Sequence, residues 1–350
     1  MLTSDPRQNE LSQKPSCCSI SDRPYVPPKK RTVESRCRCA RRPICNRAPA
    51  FHPAVAFAAG VYSPLRLLIL FLFKRLFVGL RSGRQRDVKL PLHDRALLLH
   101  GSKRNEVLSL AEIEQYGLDS FGDPDYISVY GMPPRQWYDC GMRLLGRTAV
   151  ECTRDSLADL IGRDVASLAG CMPSSKFLVI DPFAGSCNTL FWILRHLPNS
   201  EGIGFEADSQ VFELAHHNLA TLSQRIELVH GDYAQLLAQC RVSKGRGIIV
   251  FVAPPWGIAL DEIQGLDLCC TTPPISRIIE HVVCRFWEHT ILFAIQVFEK
   301  VNAPSLNHLR VLLDWTELSI YDINEKGRNY GILLGTKGWA PPRYPAIATP

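Results

Sequence analysis

The 350-residue sequence has no Cys-x-x-Cys pair, although it holds 13 cysteines. Cys17-Cys18, Cys37-x-Cys39 and Cys269-Cys270 lack the spacing that lets two thiolates share one zinc, so no metal site is expected. An odd number of cysteines without a legible secretory signal fits reduced thiols in an intracellular protein of the nucleus or cytoplasm. Long apolar runs are lacking too. The longest candidate, within residues 65–80, is uncharged only from Leu67 to Phe73 before Lys74 and Arg75 interrupt it, whereas a membrane-spanning helix needs about 20 apolar residues. Three readings of that segment stay open: an amphipathic stretch lying on a membrane surface, a cleaved organellar targeting segment, or an apolar piece of a tail. Acidic residues are scarce in the first 95 residues only. Residues 1–95 carry 19 Lys and Arg against 6 Asp and Glu, and the remaining residues 21 against 28. The clustered positive charge that phosphate binding requires is thus in the tail, and the body is mildly acidic.

Residues 1–95 mix Pro with Arg and show neither helical nor strand period, so they are expected to form a basic tail or targeting region of low order. From Ala96 the pattern tightens, and residues 96–172 read as a helical lead-in. In it "VLSLAEIEQYGL" is a short helix. "DSLADLIGRDVASLAG" is a longer one, with Asp155 or Ser156 as its cap and Leu157, Leu160, Ile161 and Val165 on one face.

Residues 173–340 change grammar. Short apolar runs at 177–181, 202–206, 226–230, 248–252 and 290–298 alternate with helical stretches, and "TELSIYDI" and "YGILLGTKG" close the series around a short turn. Strands alternating with helices predict an α/β doubly wound, Rossmann-like sheet, and the last pair an antiparallel hairpin. In such sheets ligands bind past the carboxyl ends of the strands.

Four tips carry polar or aromatic residues. After the first run comes "DPFAGSCNTL": Asp181 closes the strand, Gly185 permits a tight turn, and Asn188 and Thr189 open a helix whose free N–H groups face the same side. After the second, Glu206 is placed to accept hydrogen bonds from ribose hydroxyls, while Asp208 starts the next helix. After the third, Asp232 suits an adenine amino group with Tyr233 packing beside the ring, or caps the following helix, or both. After the fourth comes "APPWG". Pro254 and Pro255 stiffen the backbone and leave its carbonyls free as acceptors, Trp256 offers a flat face, and Gly257 allows close passage. An aromatic packed in a core would not need two prolines before it.

In this order and spacing "DPFAGSCNT", "GFEAD", "HGDY" and "APPWG" resemble class I S-adenosylmethionine-dependent methyltransferases, and within them the RNA cap guanine-N2 methyltransferase family, the trimethylguanosine synthase type. The resemblance covers roughly residues 126–338. It implies a seven-stranded methyltransferase sheet and S-adenosyl-L-methionine as cofactor. Asp181, Phe183, Ala184, Gly185 and Asn188 would line its methionine part, Glu206 would hold the ribose, and Asp232 and Tyr233 the adenine. Trp256, with Pro255 and Gly257, would form the acceptor wall, and the Pro254 carbonyl would take a hydrogen bond from the attacking amine. The implied partner is capped RNA or a nucleotide-like acceptor. Two departures stand out: Ala253 replaces the usual Ser, Asn or Asp, and Ser186 and Cys187 stand where glycines are common. Ala253 and the acidic body leave two alternatives, a small-molecule or protein methyltransferase and a non-catalytic homologue. A dehydrogenase is disfavoured because residues 181–190 lack Gly-x-Gly-x-x-Gly.

Overall fold

A computed structural model of the protein describes residues 30–32, 94–222, 226–261, 263–325 and 328–342. The expectations for the basic tail and its apolar segment lie outside these residues, except that Lys30–Thr32 forms a short strand, β1. Among the described residues no helix is long and apolar enough to cross a membrane.

Five helices precede the first long strand: α1 (Arg95–Leu99), α2 (Leu110–Phe121), α3 (Pro134–Asp139), α4 (Gly146–Glu151) and α5 (Asp155–Ala169). Helix α2 starts on a capping box, with Ser109 and Glu112 satisfying each other's backbone N–H. Leu157, Ile161 and Val165 form the buried stripe of α5, as the helical spacing predicts. The expected cap of α5 is corrected. Arg154 occupies the capping position but its side chain does not cap the helix, and Asp155 is the first helical residue, its carboxylate committed to tertiary partners described below.

The sheet follows with β2 (Phe177–Asp181), β3 (Glu201–Glu206), β4 (Ile226–His230), β5 (Gly247–Val252), β8 (Ile291–Phe298), β9 (Trp315–Glu325) and β10 (Arg328–Lys337). Between β5 and β8 a two-residue ladder joins β6 (Leu260–Asp261) to β7 (Gly265–Leu266). Intervening helices are α6 (Asn188–His196), α7 (Ser209–Leu219), α8 (Tyr233–Gln239), α9 (Ile275–Arg285) and α10 (Ala303–Leu312). The strand order is β9-β10-β8-β5-β2-β3-β4, with β1 added on the β9 edge. The β2, β3, β4, β5 and β8 pairings are parallel, and β10 runs antiparallel between β8 and β9. This is the Rossmann-like seven-stranded sheet with the antiparallel C-terminal hairpin that the sequence predicts.

Every residue of β2, β5 and β8 is buried, which explains their unbroken apolar runs: each strand is covered on both faces. On one face α5 and α6 pack through Leu157, Ile161, Leu190 and Ile193 against Val179, Ile249 and Leu292. On the other α8, α9 and α10 pack through Leu237, Ile278, Val282 and Leu309 against Ile180, Val250 and Phe293. The switch in strand order falls between β2 and β5, so the tips of β2, β3, β4 and β5 lie along one edge.

Candidate functional site at the strand tips

Asp181, at the end of β2, is 2% exposed, and its Oδ1 accepts the Phe183 N–H at 3.0 Å. Burial raises its pKa to about 7, against the opposing Phe183 amide and with a further push from the nearby Glu206 charge. Beyond it the chain turns through Gly185 at φ 51°, where an added side chain would project into open space. The glycine turn differs from the sequence expectation in one respect. Cys187, not only Gly185, adopts a left-handed conformation, φ 61°, which costs an L-residue roughly 1 to 2 kcal/mol. Its side chain is wholly buried with Ala184, Ala215 and Leu228, and that packing holds it there. The turn lies flat on β3 because Gly204 faces it: a Cβ on Gly204 would sit 2.8 Å from that of Ala184.

Glu206, at the tip of β3, joins two strand ends. Its Oε2 accepts from the Gly185 N–H at 2.9 Å and its Oε1 from the Asp208 N–H at 2.8 Å, while burial raises it above the usual carboxylate range. Each oxygen keeps a further lone pair. Asp208 caps α7 through Gln210 and Val211, as its position predicts. Past β4, Asp232 is exposed and caps α8, accepting from Ala234 at 2.9 Å and Gln235 at 3.4 Å. The Tyr233 ring is 5.1 Å from that of Phe183, and its hydroxyl is 3.3 Å from His281 Nδ1 on α9. Asp181, Phe183, Gly185, Glu206 and Tyr233 thus gather round one set of strand tips.

Asn188 is turned away from them. Its Oδ1 accepts the Tyr130 N–H at 2.7 Å, and its Nδ2 donates to the Thr153 carbonyl at 2.8 Å and to Asp155 Oδ1 at 3.1 Å. Both amide hydrogens are used inside the protein, so the side chain does not face a ligand as the resemblance implied; it fastens the lead-in to the glycine turn. Asp155 also accepts from Gly131 N–H and Trp192 Nε1, and Tyr130 donates its hydroxyl to the Ser186 carbonyl. Burial raises Asp155 to about 6 despite these donors.

At the tip of β5, Pro254 is buried, Pro255 exposed and Trp256 half-buried. Among the described residues no backbone N–H donates to the Pro254 carbonyl. The Trp256 carbonyl closes a short 3₁₀ turn by accepting from Ala259, and Gly257 adopts φ 50°. The indole stacks on Tyr330 of β10, ring centroids 6.2 Å apart and planes at 25°. One side of it packs against the core under α8, α9 and α10, and the ring stays half-exposed at the carboxyl end of β5. In the segment that follows, Asp261 and Asp267 bond local amides, Ile258 and Ile263 are exposed, and Glu262 lies outside the described residues.

Several contributors were not singled out in the sequence. Arg147 of α4 reaches Asp208 at 2.6 Å; burial alone would raise Asp208, yet this guanidinium and the capped amides hold it below its ordinary value. Arg154 is buried with its guanidinium 3.8 Å above the Tyr126 ring, which stacks on Phe121. Burial lowers Arg154, while the neighbouring Tyr126 first, and Cys152 and Tyr330 after it, oppose that fall. The visible signal was an aromatic at the first position of the last apolar run. Nothing local tied it to Trp256, 74 residues earlier.

Residues 177–334 match the model of the RNA cap guanine-N2 methyltransferase family. A search of curated protein sequences returned no match. Among solved structures, the chain is similar to a putative class I S-adenosylmethionine-dependent methyltransferase from Listeria monocytogenes, at 17% identity over 53% of this chain and 62% of that one, TM-score 0.38. The methyltransferase domain of METTL16 aligns at 15% identity over 49% and 64%, TM-score 0.37. A putative RNA methyltransferase from Pyrococcus horikoshii aligns at 13% over 53% and 83%, TM-score 0.34. The chain spans less than two thirds of the first of these relatives.

Proposed function

We propose that this chain, a class I S-adenosylmethionine-dependent methyltransferase whose residues 177–334 match the RNA cap guanine-N2 family, methylates an exocyclic amine of guanine in RNA. The observation that carries the reading is the half-buried indole of Trp256, held out on two prolines beside a carbonyl to which no backbone N–H among the described residues donates. A flat ring next to a rigid acceptor suits a planar base bearing an amine.

The residues present fit the cofactor. Among the described residues a single backbone N–H donates to the buried Asp181 carboxylate, which leaves it room for a cationic group, and the Glu206 carboxylate retains lone pairs for a diol. Gly185 leaves open space where a side chain would stand. Phe183 and Tyr233 supply an apolar wall, and Asp232 has capacity for an amino group beside its capping role. When bound, the cofactor supplies an activated methyl group on a sulfonium. The protein's own work is aim. Trp256 sets the plane of the acceptor, and the Pro254 carbonyl accepts a hydrogen bond from the amine as positive charge develops on it. Holding reactants in line is worth roughly 7 to 11 kcal/mol of barrier, so positioning carries most of the rate.

The test is methyl transfer from labelled cofactor to RNA bearing a guanosine cap, compared with free nucleosides and with a metabolite and protein pool. Transfer to guanine N2 supports the proposal. Label appearing only in small molecules or protein overturns it in favour of the reading that Ala253 and the acidic body suggest.

A pH dependence follows from Asp181. With a free-state value of about 7, the group is partly protonated at neutrality, and a cation bound beside it favours the carboxylate. Binding therefore releases a proton below that value. Cofactor affinity is expected to rise by up to about tenfold per unit as pH increases toward 7 and to level off above 8. Asp181→Asn should flatten the profile; calorimetry in buffers of different ionisation enthalpy measures both.

A further inference from the structure

Gln296 is the polar residue in a strand that is otherwise apolar, ILFAIQVF, and buried throughout. Its Oε1 accepts the Thr153 hydroxyl at 2.9 Å. Its Nε2 has no partner among the described residues, yet it is not one of the atoms sealed without a hydrogen bond, so it keeps contact with open space. Strand register locates that space. Val252 of β5 pairs with Ile295 of β8, and the next positions along the two chains are Ala253 and Gln296, at the turn that carries Pro254 and Trp256. On the other side Gln296 faces Ile332 of β10, two residues from Tyr330, the ring on which Trp256 stacks. Thr153 is itself held through its carbonyl by Asn188, which pins the oxygen end of the amide.

Resting on the reading of this site as a base methyltransferase, we propose that Gln296 orients the acceptor, donating from Nε2 to the ring-nitrogen lone pair next to the amine. An exocyclic amine on a nucleobase always neighbours such a lone pair, N3 in guanine. A site that aims the amine is therefore best served by two groups, an acceptor for its N–H and a donor for the adjacent ring nitrogen. The Pro254 carbonyl provides the first. Ala253, where the family usually has a polar side chain, provides neither, and Gln296 reaches the same place from the neighbouring strand.

The test uses the full chain with cap-analogue acceptors. Gln296→Leu is expected to lower kcat/KM at least tenfold while cofactor affinity by calorimetry and Tm stay near wild type. Ala253→Asn added to that variant should recover part of the loss. A 3-deazaguanosine acceptor, which lacks the lone pair, should react with wild type and Gln296→Leu at the same rate; a purely structural role would leave the usual gap between them. An unchanged kcat/KM on an acceptor that wild type methylates overturns the role of Gln296 and spares the proposed function. An equal fall in cofactor affinity overturns it as well. Wild type that neither methylates guanine acceptors nor binds 7-methylguanosine triphosphate removes the function and the role of Gln296 together.

Discussion

Trp256→Ala is expected to reduce kcat/KM for the acceptor by roughly 5- to 150-fold and to leave the cofactor dissociation constant within about twofold. The range follows from base–aromatic stacking, about 1 to 3 kcal/mol, at 1.4 kcal/mol per factor of ten. A base already methylated to a cation would draw about 2 kcal/mol more from the indole face, so the defect should be larger for 7-methylguanine than for guanine acceptors. Global stability should change less than for a core aromatic, because the ring is only half-buried and its stacking contact is Tyr330. Trp256→Phe, which keeps a flat face, should restore much of the activity. Equal loss of cofactor and acceptor binding would show that the indole is not an acceptor wall.

Asn188→Ala should produce the largest loss of stability, about 3 to 5 kcal/mol by urea unfolding. The side chain is 1% exposed and satisfies three groups at once: the Tyr130 N–H, the Thr153 carbonyl and the Asp155 carboxylate. Truncation leaves the Tyr130 N–H buried and unpaired, takes the donor from the part-buried Thr153 carbonyl and removes one of the three donors to Asp155, at about 1 to 3 kcal/mol per lost partner before relaxation. Cofactor affinity should fall as a secondary effect, since the same bonds hold Ser186 and the turn at Gly185. If instead affinity collapsed while the urea midpoint stayed put, Asn188 would be a ligand-contacting residue after all. Asn188→Asp should be no better tolerated, since it sets a second carboxylate beside one already pushed up to about 6.

The two substitutions separate what sequence can show from what it cannot. Strand 177–181 was legible to the residue because two-sided burial writes an uninterrupted apolar run, and strand 226–230, only partly buried, because it lies between helices that begin on Asp208 and Asp232. The tip residues Asp181, Glu206 and Trp256 were legible for the same reason, being the first polar or rigid positions after each run. What was hidden is tertiary. Asn188 sits at a helix start where an amide reads as ligand-facing, and its partners at Tyr130 and Thr153 lie 58 and 35 residues away. Asp155 looked like a cap because an acid before an apolar helical stripe usually is one; here three distant donors won it instead. Gln296 reads in the sequence as one polar letter in an apolar strand, and only the register of β8 against β5 places it beside Ala253.

The position of β10 has a further consequence for how the molecule is assembled. Following every other strand of this sheet in the sequence, it nevertheless occupies an inner slot, and without it β9 has no bond to the rest of the seven strands. The half of the sheet that carries Tyr330 and the seat for the indole is completed only when residues 328–337 slide in between two neighbours made before them. Any lesion that stalls this final insertion would disable the acceptor side first, while the nucleoside side, built from β2, β3 and β4, already stands.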